Sequence, residues 1–481
     1  MTHIDDNVGM GVPSTDTTSS GGLRGNMGVT ELMFTVLAYN APVVTFLSFI
    51  PVAILLGNGL GVPVAFIACG LLIASLSYGI VAMASHLDKP GGFYAIVTAG
   101  LGRIVGLSAG FAALLGYFMA TFATYGVVGL ALDTVVVDLL DGPHVSWWVW
   151  SLLAAAAVSV LGYVNINLSA KVMVCLLGCE LILVVAYDLA VLFQGGASGI
   201  GFDSFTGDSI FSGSLAIALL FGVALYGGFE ATVIFRDEVK DSRRTIPRAT
   251  FGVVAAITIL YAFTAWLFIN SFGANAVMSV LGKDYISSGE QSVHDYLGSF
   301  AGHAVVVLLF TSAFALVLAA HNITARYLFN LAADEILPRK LAQAHAVHVS
   351  PHRASITVSV LSVGGLVLLA ATKSDAYIYA KFLGLYGYTF VMLLAVVSLA
   401  AFVYLWRRQL KRPAVFALLP LPVLLTTLVL ATDKFVLLSG AEGTWKVVLL
   451  SSVWGFTLLG AVVAVVLRRR RPDIYARIGR Q

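Results

Sequence analysis

Charge is what this chain lacks. Of its 481 residues only 11% are charged, against about 25% in a soluble globular protein. That is too few to solvate a surface of this size, so most of the outside faces something other than water. Cysteine is scarce too. Cys69, Cys175 and Cys179 all sit in apolar runs, which excludes a disulfide scaffold or a zinc cluster. Cys175 and Cys179 share one helical face and read as small packing residues rather than a redox pair. No glycine-rich loop ends in Lys-Ser or Lys-Thr, so ATP drive has no support. The nine histidines are scattered, and no His, Asp or Ser constellation of a membrane enzyme forms. No catalytic residue, cofactor or metal is expected. A net charge of +3 gives no reason to expect a nucleic-acid partner.

What is present is apolar sequence: 59% of residues are hydrophobic and the mean hydropathy is +0.92. A bilayer core of ~30 Å needs about 20 apolar residues as a helix. Twelve such runs occur, near residues 31–56, 63–85, 105–135, 146–165, 170–194 and 211–235, then 249–272, 301–330, 354–372, 377–406, 414–437 and 446–467. Positive charge falls on alternate loops. The loops after the second, sixth, eighth and tenth runs hold Lys89 and Arg103; Arg236, Lys240, Arg243, Arg244 and Arg248; Arg339, Lys340 and Arg353; and Arg407, Arg408, Lys411 and Arg412. The block Arg468 to Arg471 follows the last run. Positive residues stay cytoplasmic, so both termini are expected inside a multi-pass protein of the plasma or inner membrane. Trp147, Trp148, Trp150 and Trp445 suit interfaces. Residues 1–28 are rich in Ser, Thr, Gly and Asp and carry no charged-then-apolar leader, which predicts a disordered cytoplasmic tail.

Two runs are not clean helices. The first carries Tyr39-Asn40-Ala41-Pro42-Val43, with a proline at mid-membrane, and Pro51 further on. The sixth carries Phe221-Gly222-Val223-Ala224-Leu225-Tyr226-Gly227-Gly228-Phe229-Glu230. Simple kinking would explain either alone, since Gly and Pro are tolerated in membrane helices. Interruptions at matching positions of two five-helix halves point instead to a midplane transport site.

Here the sequence resembles the amino acid permeases of the amino acid–polyamine–organocation (APC) superfamily. The most specific piece is Gly227-Gly228-Phe229-Glu230 followed by Glu238-Val239-Lys240 and Ile246-Pro247-Arg248-Ala249. Gly91-Gly92-Phe93-Tyr94, Asn165, Ser169-Ala170-Lys171, Ala325-Arg326-Tyr327 and Leu337-Pro338-Arg339 support it, and the resemblance runs from about residue 31 to 406. It implies an all-α membrane protein of about twelve helices. A 5+5 inverted-repeat core with broken helices one and six would occupy residues 29–406, two further helices 407–467, and a basic cytoplasmic tail 468–481. Asn40-Ala41-Pro42 replaces the family's usual Gly-x-Gly in helix one. Many members carry a lysine nine residues after the Ser-Ala-Lys lysine; here that position is Glu180.

The resemblance implies a secondary transporter of an amino acid, with the proton as coupling ion and the lipid bilayer as surroundings. Substrate is expected between Tyr39, Asn40, Ala41, Pro42 and Val43 on one side and Phe221, Gly222, Ala224, Tyr226 and Gly227 on the other. Its carboxylate would meet helix-one N–H groups and its ammonium the helix-six carbonyls. Glu180 and Glu230 are candidates for coupling or gating, as carboxyls in apolar helices. For Glu230, capping of the second half-helix is the structural alternative. For Glu180, it is hydrogen bonding to a neighbouring helix or a water-filled cavity. Tyr117, Ser312 and Phe314 are weaker pocket candidates, and His321 reads as a packed neutral histidine. Arg326, Asp334 and Arg339 suggest a cytoplasmic charge network. A polyamine or other organic amine is the rival substrate, but Glu180, Glu230, Asp133 and Asp188 offer few carboxylates for it. A channel would need repeated carbonyl or charged rings, which are not visible.

Overall fold

The computed structural model describes residues 27–87, 92–163, 170–234, 239–285, 287–343, 351–374, 378–436 and 443–479. The expected tail before Met27, and Lys89, Gly91, Asn165, Ser169, Arg236 and Glu238, lie outside the described residues, as do the side chains of Tyr39, Lys171 and Trp445. Among the described residues the chain is all helix, with one isolated parallel bridge between Met27 and Val239. Nine helices there are long and apolar enough to cross a membrane, and the apolar helices Pro42–Leu56, Trp147–Tyr163 and Leu215–Ala224 are shorter. Together they make up twelve spans.

Span one is Val29–Asn40, a break, then Pro42–Leu56. Span two is Val62–Ala84, span three Arg103–Thr134, span four Trp147–Tyr163 and span five Ala170–Gln194. Span six is Leu215–Ala224, then turns, then Ala231–Ile234. Span seven is Ser242–Phe272, span eight Ser299–Ala333, span nine His352–Ala371 and span ten Ile378–Arg407. Span eleven is split into Lys411–Leu418 and Pro420–Asp433, and span twelve is Gly443–Arg470.

The packing repeats itself when five is added to each span number. One packs on five as six packs on ten, and one on seven as six on two. Three packs on four as eight on nine, and ten on three as five on eight. Two with seven, and three with eight, pair across the halves. This is the inverted-repeat core; span eleven lies on two and ten, and span twelve on three.

The basic loops gather at one end. Tyr404 Oη, at the end of span ten, donates to the His86 carbonyl after span two (3.2 Å). Arg103 donates to the Ala476 carbonyl beyond span twelve, and its guanidinium lies over the Tyr475 ring. Glu335, after span eight, accepts from Arg339 (2.5 Å) and from Arg477 of the tail. The charge network at this end is therefore centred on Glu335. Asp334 instead takes the Tyr94 hydroxyl at 3.2 Å, and Arg326 is exposed.

Candidate functional site

Break one follows from Pro42. A proline disfavours right-handed helical dihedrals in the residue before it and supplies no N–H. Ala41 accordingly sits in the left-handed region (φ 46, ψ 75), and Pro42 opens the next half-helix at its first position, where a missing N–H costs nothing. A second proline, Pro51, is accommodated by a widened π-helical turn over Thr45–Phe49 just before it.

The first-turn donors of the second half-helix are few. Val43 N–H donates to Glu180 Oε2 (3.2 Å), and Thr45 N–H to the Ala41 carbonyl (2.9 Å). The Val44 N–H remains, and Val44 lines the central cavity. Ser312 Oγ of span eight donates to the same Glu180 oxygen (2.9 Å). One carboxylate, only 5% exposed, thus joins spans five, one and eight.

Break six is made by turns. The N–H groups of Tyr226, Gly227 and Phe229 each donate three residues back, to Val223, Ala224 and Tyr226. Gly228 takes φ 88, which a side chain would strain. Glu230 then accepts from Tyr117 Oη of span three (2.6 Å), while its other oxygen is buried without a protein partner. Tyr117 in turn packs on the Tyr327 ring of span eight, centroids 5.3 Å apart.

The two breaks are tied directly. Asn40 Nδ2 donates to the Leu225 carbonyl at 2.7 Å. Around this tie lies a cavity of about 70 Å³, room for several waters but not for a bulky ligand. Its walls come from span one (Asn40, Val44, Thr45, Ser48, Phe49), span three (Thr124, Val127 and two alanines), span six (Ala224, Leu225, Gly227), span eight (Leu316, Ala320) and span ten (Tyr379, Leu383, Tyr386). All of these side chains are neutral, apolar or hydroxyl- and amide-bearing.

Of the residues expected here, Asn40, Ala224 and Gly227 line the cavity. Ala41, Pro42 and Val43 form the break itself but are not among its walls. Phe221 is fully buried off the cavity. Gly222 faces span two, where an added Cβ would meet Cys69 Sγ at 2.7 Å. Tyr226 turns its hydroxyl to Thr258 Oγ1 of span seven (2.8 Å). Ser312 and Tyr117 hold the two carboxylates rather than the cavity, and Phe314 is not a wall. His321 bonds Ser355 Oγ of span nine through Nε2 (2.9 Å). Asp188 is buried and accepts from Thr264 (2.8 Å), while Asp133 takes the Trp150 and Val145 N–H groups. Sequence reading missed Thr45, Ser48, Thr124, Tyr379 and Tyr386. Their one signal is a polar group inside an apolar span.

Comparison with known proteins agrees in kind. The family model described as amino acid permease matches residues 32–438. An uncharacterised transporter, R00093, of Rhizobium meliloti (strain 1021) is 26% identical over 397 residues, covering 80% of this chain and 81% of its own. Human Asc-type amino acid transporter 1 is 23% identical over 406 residues, covering 79% of this chain and 71% of its own. The mouse protein of the same name is 24% identical over 365 residues, covering 71% and 63%. With the two broken spans, the inverted repeat and the family match in place, the chain belongs to the amino acid permease family and is a multi-pass membrane transporter.

Proposed function

We propose that the protein is a secondary active transporter that moves a zwitterionic amino acid across the plasma or inner membrane by alternating access, coupled to a proton carried on Glu180. The observation that carries this reading is the Glu180 carboxylate, held at once by Val43 at the second half of span one and by Ser312 of span eight. A carboxylate at a half-helix N-terminus gains from the charge-assisted N–H bond and the helix dipole. Loading a proton weakens both gains and loosens span one from spans five and eight. Releasing it restores the joint. That is a physical route from proton occupancy to movement of the broken helix.

The neutral lining favours a zwitterion over a polyamine, since no carboxylate is a wall of the central cavity. A substrate carboxylate would meet the Val44 N–H at break one, and its ammonium the carbonyls of the span-six turns. Both termini are assigned to the cytoplasm on the clustering of basic loops. Reporter fusions after Arg248, Arg353 and Arg412 should read cytoplasmic, and one after Gly195 external.

The test of function is a thermal-shift screen of the purified protein over amino acids and amines, followed by uptake of the hits. A bound ligand stabilises by RT ln(1 + [L]/Kd). Small zwitterionic amino acids should shift the melt and accumulate, saturably, in proteoliposomes under a pH gradient. Shifts with amines alone would replace the substrate class, and flux that never exceeds equilibrium would remove the coupling.

A further inference from the structure

A second chamber, of about 10 Å³, lies on the side of the central cavity away from the basic loops and shares the walls Ser48, Val127 and Tyr379 with it. It has one acidic wall, Glu290, on the short helix Ser287–Leu297 between spans seven and eight. That helix is firmly placed. Ser292 Oγ bonds Tyr187 Oη of span five (2.8 Å) and Ser271 Oγ of span seven (2.9 Å). Gly289 lies against Leu47, so closely that an added Cβ would come within 2.6 Å of its methyl. Glu290 is thereby set beside the π-helical turn of span one, in a chamber that shares walls with the central cavity.

Glu290 has no hydrogen bond or ion pair among the described residues. Desolvation raises its carboxyl to about 7, and the negative charges of Asp138 and Asp284 act in the same direction. A carboxylate on a confined wall without a donor is costly, and a cation removes that cost. The chamber has space for about one water-sized group, and an ammonium head is of that size.

We propose that Glu290 forms an outer subsite that takes the ammonium group of the substrate as it passes between the external face and the central cavity. The inference rests on the amino acid reading above and adds to it a residue that sets affinity from one face only. Asp138 and Asp284 deepen the local negative potential without being walls of the chamber.

The experiment compares wild type, Glu290→Gln and Glu290→Asp in right-side-out and inside-out vesicles, using an amino acid that the wild type transports. Glu290→Gln should raise the external KM about tenfold at an unchanged maximal rate of entry, and keep the melting temperature. Reversibility fixes the ratio of Vmax/KM in the two directions, so the maximal rate of exit should fall by the same factor at an unchanged internal KM. Glu290→Asp should recover part of the loss. Inhibition by the amine-free carboxylic acid with the same side chain should be equal in wild type and Glu290→Gln. An unchanged external KM, an equal rise on both faces, or an equal loss for the amine-free acid would overturn the proposal. If the wild type moves no amino acid at all, the transport reading fails and the subsite with it.

Discussion

The breaks in spans one and six do the same geometric job with different materials. Break one is imposed by Pro42, leaves Ala41 in a left-handed conformation, and has its donor satisfied by a carboxylate from another helix, Glu180 of span five. Break six is made of glycine and short turns, and its carboxylate, Glu230, comes from its own span and is held by Tyr117 of span three. A break whose donor is met by a carboxylate from a second helix reports on the relation between helices; a carboxylate carried on the broken span itself mainly fixes that span against its neighbour, span three. We therefore assign coupling to the first and structural support to the second. Asn40, bridging to the Leu225 carbonyl, makes the two breaks one unit.

The largest expected effect is at Gly227, which faces the Tyr386 hydroxyl with no space for a side chain. Gly227→Leu should fill the central cavity and lower substrate affinity by ~100-fold or more in isothermal titration, with a folding cost of only about 1–3 kcal/mol from overpacking. Full affinity in a folded variant would place substrate away from the breaks.

The supporting role of break six can be attacked through Tyr117→Phe. It leaves a buried Glu230 oxygen without its donor, which should cost about 1.5–3 kcal/mol of stability. Pooled with Glu230→Gln in a double-mutant cycle, the losses should be non-additive, while the pH dependence of uptake stays that of wild type. A changed pH dependence would give break six a share of the coupling.

Asn40 sharpens the link between the breaks. Asn40→Ala should cost about 1 kcal/mol through the lost bond to the Leu225 carbonyl. Asn40→Asp should melt lower still, because an oxygen would then oppose that carbonyl. Equal melts for both variants would show that the amide tie carries little.

The smallest effect is expected far from both breaks, at Glu335. Arg339 first, then Arg477, hold its carboxyl below the usual carboxylate range. With the folded value depressed, its contribution is present above the ordinary carboxyl range and fades as pH falls through the lowered one. Glu335→Gln at neutral pH should therefore mimic acid, exposing residues after Arg471 to limited proteolysis without altering uptake.

The spans, the grouping of the basic loops at one end and both breaks were legible in the sequence. Charge deficit, loop arginines and the positions of Pro42 and Gly227 each act locally or through solvation, and such signals survive in one dimension. The family resemblance added the inverted repeat. The walls of the cavity were less legible. Tyr379 and Tyr386 look like any aromatic in an apolar helix, and Tyr226, a reasonable candidate by position, turns to Thr258 instead. A helical face is chosen by the neighbours it meets, and those lie more than a hundred residues away for Glu180 with Val43 and Ser312. The π-helical turn before Pro51 is likewise a tertiary accommodation. Asp334 and Glu335 show the same limit, since adjacent carboxylates went to different partners.

The division of labour between the breaks comes down to one measurement, pH-gradient-driven accumulation against substrate counterflow in proteoliposomes of Glu180→Gln. Glutamine has the shape of the protonated acid and cannot cycle a proton. Accumulation should be lost and counterflow retained at a rate within about threefold of wild type, less than the ~1 kcal/mol typical of a single hydrogen bond. Accumulation against the gradient with wild-type pH dependence would contradict the assignment of the coupling proton to Glu180.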